Sequence, residues 1–266
     1  PSIALIIYGI LVEEDIGKLF IAGIIPGILT VLLYILAVRI VTAIKGNWGP
    51  PGERTPWFGR FKALGKVWGI VLLFIFILGG IYGGIFTPSE AGGIGAVGAL
   101  VFAIARKKMS WKEFYISLIE AGKTTVFGFT VAYGAIIFSN FINIAGMPDD
   151  ILEFVDQLNI PPMGVIFAIL FIYVLLGAVF EGIGMILLTV PIFFPVVQSL
   201  GFDLIWFGIV VIMVTEISLI TPPIGMNVFV LKSMLPDVSL WKIFAGIGPF
   251  FAADLVRLTL VVLFPK

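Results

Sequence analysis

Long apolar runs separated by brief polar punctuation set the layout of this chain. A helix needs about 20 apolar residues to cross a hydrocarbon core about 30 Å thick, so each run is read by its length. Residues 1–12 are apolar but would make a helix only ~18 Å long, too short to span. Glu13, Glu14 and Asp15 then mark a polar surface. Residues 16–44 predict a full span bent gently at Pro26-Gly27. Residues 45–62 predict a basic loop rich in proline and glycine, with tryptophans suited to a membrane interface. Residues 67–86 span again, Thr87-Pro88-Ser89-Glu90 interrupts, and a glycine-rich run returns over 91–105. Arg106, Lys107 and Lys108 precede an amphipathic helix over 110–122. Then come a span over 124–145, a short acidic surface helix over 147–159, and two apolar limbs, 161–180 and 185–200, joined by Glu181-Gly182-Ile183-Gly184. An apolar run over 204–235, a surface turn at Pro236-Asp237 and a last span over 240–264 complete the layout.

The run over 204–235 is long enough to cross a bilayer, but Thr221-Pro222-Pro223 lies inside it. A proline has no N–H, and the residue before it is pushed out of helical geometry. The run therefore divides into two half-helices with unwound backbone between them. At membrane depth such backbone is tolerated only where protein covers it or a polar cavity meets it, the usual place for a transporter's ion or substrate. An ordinary proline kink is the plainer reading of the Pro-Pro pair. Glu216, Ser218, Thr221 and Asn227, crowded around the break, shift the balance toward a site.

Composition agrees with a polytopic membrane protein: of 266 residues 60% are apolar and 12% charged, against about half and a quarter in soluble domains. A net charge of zero gives no argument for nucleic acid. The absence of cysteine and histidine removes disulfides, thiol chemistry, histidine acid–base catalysis and the usual transition-metal ligands. No phosphate-binding Gly-x-x-x-x-Gly-Lys-Ser/Thr loop is present. Counting crossings puts the basic loops 45–62 and 106–112 on one side, and acidic 13–15 and 147–159 on the other. The positive-inside rule assigns the basic side to the cytoplasm. The limbs 161–180 and 185–200 then enter and leave from the outer side. A turn of Glu-Gly-Ile-Gly, without lysine or arginine, favours a re-entrant hairpin over two full spans.

Two segments echo one another. Ile21-Ala22-Gly23-Ile24-Ile25-Pro26 is similar to Phe244-Ala245-Gly246-Ile247-Gly248-Pro249, and each follows a proline-led half-helix at a similar distance. The crossing count gives the copies opposite orientations, the mark of an inverted-topology repeat. The first copy would begin before Pro1, so the chain, which also lacks an initiator methionine, is expected to be a fragment or a trimmed protein.

Three segments carry a resemblance to a known family. Gly79-Gly-Ile-Tyr-Gly-Gly-Ile-Phe-Thr-Pro-Ser-Glu-Ala91, Leu187-Leu-Thr-Val-Pro-Ile-Phe-Phe-Pro-Val196 and Glu216-Ile-Ser-Leu-Ile-Thr-Pro-Pro-Ile-Gly-Met-Asn227 resemble the large membrane subunit of tripartite ATP-independent periplasmic (TRAP) transporters. The resemblance runs end to end here but over only the C-terminal part of a typical member. It implies an all-α integral membrane fold, an inverted-repeat elevator with a re-entrant hairpin and broken helices. It implies no enzyme and no cofactor beyond sodium as coupling ion. The implied partners are a small membrane subunit, a periplasmic substrate-binding protein, the lipid bilayer of the bacterial or archaeal cytoplasmic membrane, and an organic acid of the C4-dicarboxylate or sialic-acid type. The implied organisation assigns to the transport domain the end of a first broken helix (1–12), the second hairpin (161–201) and the second broken helix (202–235). Residues 13–66, 67–122 and 236–266 form the scaffold and its connections, with a span and acidic helix at 123–160 between.

The resemblance also implies sites. Gly177, Ser218, Thr221 and Ile224 would bind sodium, Gly177 and Ile224 through backbone carbonyls. Ser2, Glu181, Gly182, Pro222, Pro223, Gly225 and Asn227 are candidates for the substrate cavity. A second sodium site would use the break at Pro1-Ser2. Each has a plainer alternative: Thr221 bonding back to its own helix, Ser218 and Asn227 bridging packed helices, Glu181 capping a helix beside water. Thr87, Pro88, Ser89 and Glu90 read as a helix N-cap, and Asp254 and Arg257, three apart, as a pair. A channel built from re-entrant hairpins is the alternative function, and an intramembrane enzyme lacks a carboxylate pair or an activated nucleophile.

Overall fold

The computed structural model describes residues 2–49, 52, 56–177, 179–222 and 225–264, apart from the side chains of 47, 64 and 66. Most of those residues are helical, and none of them forms a strand. In order they form α1 (Ile3–Leu11), α2 (Ile16–Ala22), α3 (Ile24–Ile44), a 3-10 turn (Gly46–Trp48), α4 (Trp57–Tyr82), α5 (Pro88–Ala105) and α6 (Trp111–Ile144). Then follow α7 (Met147–Leu158), α8 (Pro162–Gly177), α9 (Gly182–Ser199), α10 (Leu204–Ser218), α11 (Met226–Met234) and α12 (Leu240–Leu263). Among the described residues, Ile16–Ile44, α5, α6, α9 and α12 are long and apolar enough to cross a membrane. The fold is that of an all-α integral membrane protein.

Four of the differences from the boundaries the sequence predicts have a clear local reason. The bend expected at Pro26-Gly27 falls at Gly23. Pro26 has no N–H for the carbonyl of Ala22 and its ring crowds that turn, so the helix is interrupted upstream of the proline. The loop expected over 45–62 ends early, because α4 already starts at Trp57. Pro56, at φ −62°, occupies the N-cap position, and the next residues, Trp-Phe-Gly-Arg-Phe-Lys, contain no proline to delay the helix. The helices expected over 110–122 and 124–145 are one helix, α6, since Gly122 costs only about 1 kcal/mol relative to alanine and does not end it. The turn expected at Glu181–Gly184 lies earlier, between Gly177 and Gly182, because Glu181 caps α9 and the helix begins at Gly182.

The chain forms two compact units, residues 1–49 with 130–266 and residues 50–129. In the second, α4 packs on α5, with Trp68 edge-on to Phe102 at 5.8 Å. In the first, α10 is the centre, touched by α1, α2, α8, α9 and α12 and buried along nearly its whole length. From Leu204 to Val214 its sequence is apolar on every face, as a helix enclosed by others must be. Three polar ties hold its N-terminal end. Asp203 accepts from the Trp206 N–H at 2.8 Å, the fully buried Tyr8 donates to the Leu204 carbonyl at 2.6 Å, and Trp206 Nε1 donates to the Val261 carbonyl at 2.9 Å.

Inside the pair α8–α9, Thr189 Oγ1 lies 2.7 Å from the Met185 carbonyl and 2.6 Å from the Tyr173 hydroxyl. Thr189 has one proton, which goes to the carbonyl, so Tyr173 donates to Thr189. Between α3 and α12, Tyr34 donates to Asp254 Oδ2 at 2.6 Å, Asp254 pairs with Arg257 at 3.2 Å, and Arg257 donates to Thr30. The pairing that the spacing of Asp254 and Arg257 suggests is therefore made, and it is tied to α3 as well.

Candidate functional site

The facing ends of α8, α9 and α10 meet at one place. An ideal Cβ on Gly177, the last residue of α8, would lie 1.9 Å from Ser218 Oγ and 2.3 Å from Ser218 Cβ. Glycine is required there because the backbone of the limb rests directly on the serine. One on Gly182, the first residue of α9, would lie 3.0 Å from Thr215 Cγ2. The residues flanking the limb junction thus sit on Thr215 and Ser218, one turn apart on α10. Of the sodium candidates, Gly177 and Ser218 are brought together, and Thr221 follows three residues later in the chain. Pro223, Ile224 and Pro1 lie outside the described residues.

The hydroxyls at this place spend their protons on their own helix. Ser218 Oγ, fully buried, donates to the Thr215 carbonyl at 2.6 Å, and the half-buried Thr221 Oγ1 donates to the Ile217 carbonyl at 2.7 Å. Back-bonding of this kind consumes the proton and leaves oxygen lone pairs for another donor or a cation. Thr215 Oγ1 is buried and has no hydrogen-bond partner among the described residues. A buried orphan hydroxyl is costly, so its place beside the limb junction draws it into the site. Sequence reasoning passed over Thr215. The signal was available: Thr215 and Ser218, three apart, share a face of α10, and Thr221 repeats the spacing just past its end.

Past Ser218 the chain unwinds through tight turns. The N–H of Ile220 donates to Ile217 and that of Thr221 to Ser218, at 3.2 and 3.1 Å. Pro222 is exposed. Gly225, at φ +53°, takes the left-handed conformation that favours glycine and leads into α11. The N–H of Asn227 crosses the break to the carbonyl of Leu219 at 3.2 Å, so the two half-helices are tied by backbone. Among the described residues no N–H is paired with the carbonyls of Ile220 or Thr221. The break therefore offers carbonyl oxygens, a threonine hydroxyl and, at Met226, the positive end of a helix dipole.

The remaining candidates are placed as follows. Glu181 is exposed and caps α9, accepting from the N–H groups of Ile183 and Gly184 at 3.1 and 3.0 Å. Ser2 caps α1 through the Leu5 N–H at 3.2 Å. Asn227 is exposed at the start of α11, and Glu216 points away from the junction, where its charged neighbours are Arg257 and Asp254. In the other unit, Thr87 and Glu90 form a reciprocal capping box with Pro88 and Ser89 in the first turn of α5.

Comparison with known proteins decides the family. The family described as the tripartite ATP-independent periplasmic transporter, DctM component, matches residues 1–266. The chain belongs to the DctM family. It is 34% identical to a C4-dicarboxylate TRAP transporter large permease protein of Pseudomonas aeruginosa, covering all of this chain and 62% of that protein. Its identity to an ectoine TRAP transporter large permease protein of Halomonas elongata is 31%, and to a sialic acid TRAP transporter large permease protein of Vibrio cholerae 28%, with the same two coverages. This DctM chain thus spans about three fifths of the length of these relatives. It is a multi-pass membrane protein, and these are names of transporter permeases, not of enzymes.

Proposed function

We propose that this DctM chain forms part of the large membrane subunit of a sodium-coupled secondary transporter that imports an organic acid. A periplasmic binding protein delivers the acid, a small membrane subunit completes the complex, and the solute crosses by an elevator motion. One observation carries the reading. The junction of α8 and α9 rests on Ser218 beside a broken helix whose carbonyls at Ile220 and Thr221 have, among the described residues, no N–H partner. Sodium is a hard ion that takes oxygen ligands, and unwound backbone at a helix break supplies them. Ser218, Thr221, Thr215 and the carbonyls of Gly177 and Ile224 are the proposed ligands. Ser2, Glu181, Gly182, Pro222, Pro223, Gly225 and Asn227 line the proposed cavity.

The solute class follows from electrostatics. The N-terminus of α11 places its positive dipole end at the break, where an acid group is stabilised. Relatives named for C4-dicarboxylate, sialic acid, ectoine and isethionate support a solute bearing a carboxylate or sulfonate. In the domain assignment proposed here α8–α9 is a re-entrant hairpin and moves with α1, α10 and α11. α8 and α10, with 16 and 15 residues, are shorter than the ~20 residues of a full crossing.

Uptake by proteoliposomes of the complete subunit with its small partner and binding protein tests this reading. Radiolabelled organic acids are scanned with and without an inward sodium gradient. The expected result is saturable uptake that requires both sodium and the binding protein. Conductance independent of solute would overturn it in favour of a channel.

A further inference from the structure

The turn between α5 and α6 carries charge that the transport reading does not use. Arg106, Lys107, Lys108 and Lys112 are exposed around it. The nearby acid, Glu113, is committed: its carboxylate accepts from the Ser110 N–H at 2.7 Å while Ser110 Oγ accepts from the Glu113 N–H at 3.3 Å. Lys107, Lys108 and Lys112 have no carboxylate partner among the described residues. The turn is nonetheless fixed, since the N–H groups of Lys107 and Lys108 return to the carbonyls of Ile104 and Ala103 at 2.9 Å each. Lys107 sits at φ +53°, where glycine is the favoured residue.

Beside these cations lies a cleft of about 230 Å³ lined by Leu100, Ile104, Met109, Trp111 and Phe114, with Ser110 at its edge. Trp111 is 82% exposed and leans on Phe114, with ring centroids 5.5 Å apart. An apolar slot whose lining residues Met109, Ser110 and Trp111 lie between Lys108 and Lys112 in the chain fits a molecule with an anionic head and a hydrocarbon tail. By the positive-inside rule this turn faces the cytoplasm, where juxtamembrane basic segments meet anionic lipid.

We propose that the α5–α6 turn is a binding site for an anionic phospholipid of the cytoplasmic leaflet. Lys107, Lys108 and Lys112 hold its phosphodiester, and one acyl chain lies in the cleft against Ile104 and Trp111. A free phosphate ion would use the lysines but leave the cleft and Trp111 without a role.

Native mass spectrometry of the purified full chain in detergent, titrated with phosphatidylglycerol or phosphatidylethanolamine, tests the assignment. One phosphatidylglycerol is expected to be retained at collision energies that remove phosphatidylethanolamine. Each cation near an anionic surface strengthens binding about fivefold, so a Lys107→Gln/Lys108→Gln/Lys112→Gln chain should bind on the order of a hundredfold more weakly. Lys107→Gly removes one charge while suiting the left-handed turn, so it should fold at least as well and bind about fivefold more weakly. Equal retention of the two lipids, or unchanged retention by the triple variant, overturns the proposal. So does displacement of the lipid by inorganic phosphate beyond that caused by sodium chloride of the same ionic strength.

Discussion

A methyl group at Gly177 would fall inside the van der Waals radius of Ser218, whose own side chain is buried and cannot swing away. Gly177→Ala should therefore force α8 off α10 and cost about 1–3 kcal/mol, the usual range for overpacking. Thermal unfolding of the purified chain measures it. Gly79→Ala is the matched control, because a Cβ there meets nothing within 4 Å inside α4, and it should be neutral or stabilise by up to about 1 kcal/mol. Thr221 separates packing from chemistry. Its hydroxyl proton goes to the Ile217 carbonyl, which keeps its helical surroundings when the hydroxyl is removed. Thr221→Val should leave the melting temperature without sodium close to that of the parent and greatly weaken its rise with sodium. Thr221→Ser, which keeps the oxygen, should retain most of that rise. A Thr221→Val chain with undiminished sodium response would remove Thr221 from the ligand set.

At the scale of elements, α5 owes its start to Thr87 and Glu90, each satisfying a backbone N–H that the other's helix position leaves open. Thr87→Ala should destabilise α5 by about 1 kcal/mol, seen as faster amide exchange in its first turn. This cap was legible in the sequence because a capping box is written within four consecutive residues. Asp254 and Arg257 were legible for the same reason, one helical turn apart. What was misread depended on weighing breakers against continuity. Gly122 was given too much weight as a stop, and Pro56 too little as a start. The candidate site was legible only as separate pieces. Nothing in the local pattern says that Gly177 must be small, since the atom that excludes a side chain belongs to Ser218 on another helix. Thr215 went unnoticed because its hydroxyl is distinguished by a missing partner, a property of the packed molecule.

For the larger unit as a whole, the packing of α3 against α12 rests on a charge cluster inside otherwise apolar contact. Asp254 and Arg257 are 3% and 6% exposed, so neither charge is compensated by water. Asp254 also accepts from Tyr34, and Arg257 reaches Thr30, so the ion pair on one helix is anchored by two hydroxyls on the other. A buried pair of this kind is weak evidence of net stability, but removing one partner strands the other. Asp254→Leu should therefore cost about 3–5 kcal/mol, because Arg257 loses its counter-charge and Tyr34 its acceptor. Asp254→Leu/Arg257→Met, which removes both charges, should recover most of that loss. Thermal melts of the two variants and the parent, in one detergent and at one salt concentration, read the difference directly. Recovery in the double variant would mean that the cluster fixes the register of α3 on α12 and adds little stability of its own. If the double variant were as unstable as the single, the two hydroxyl contacts would carry the clamp. Tyr34→Phe alone should then reproduce much of the effect.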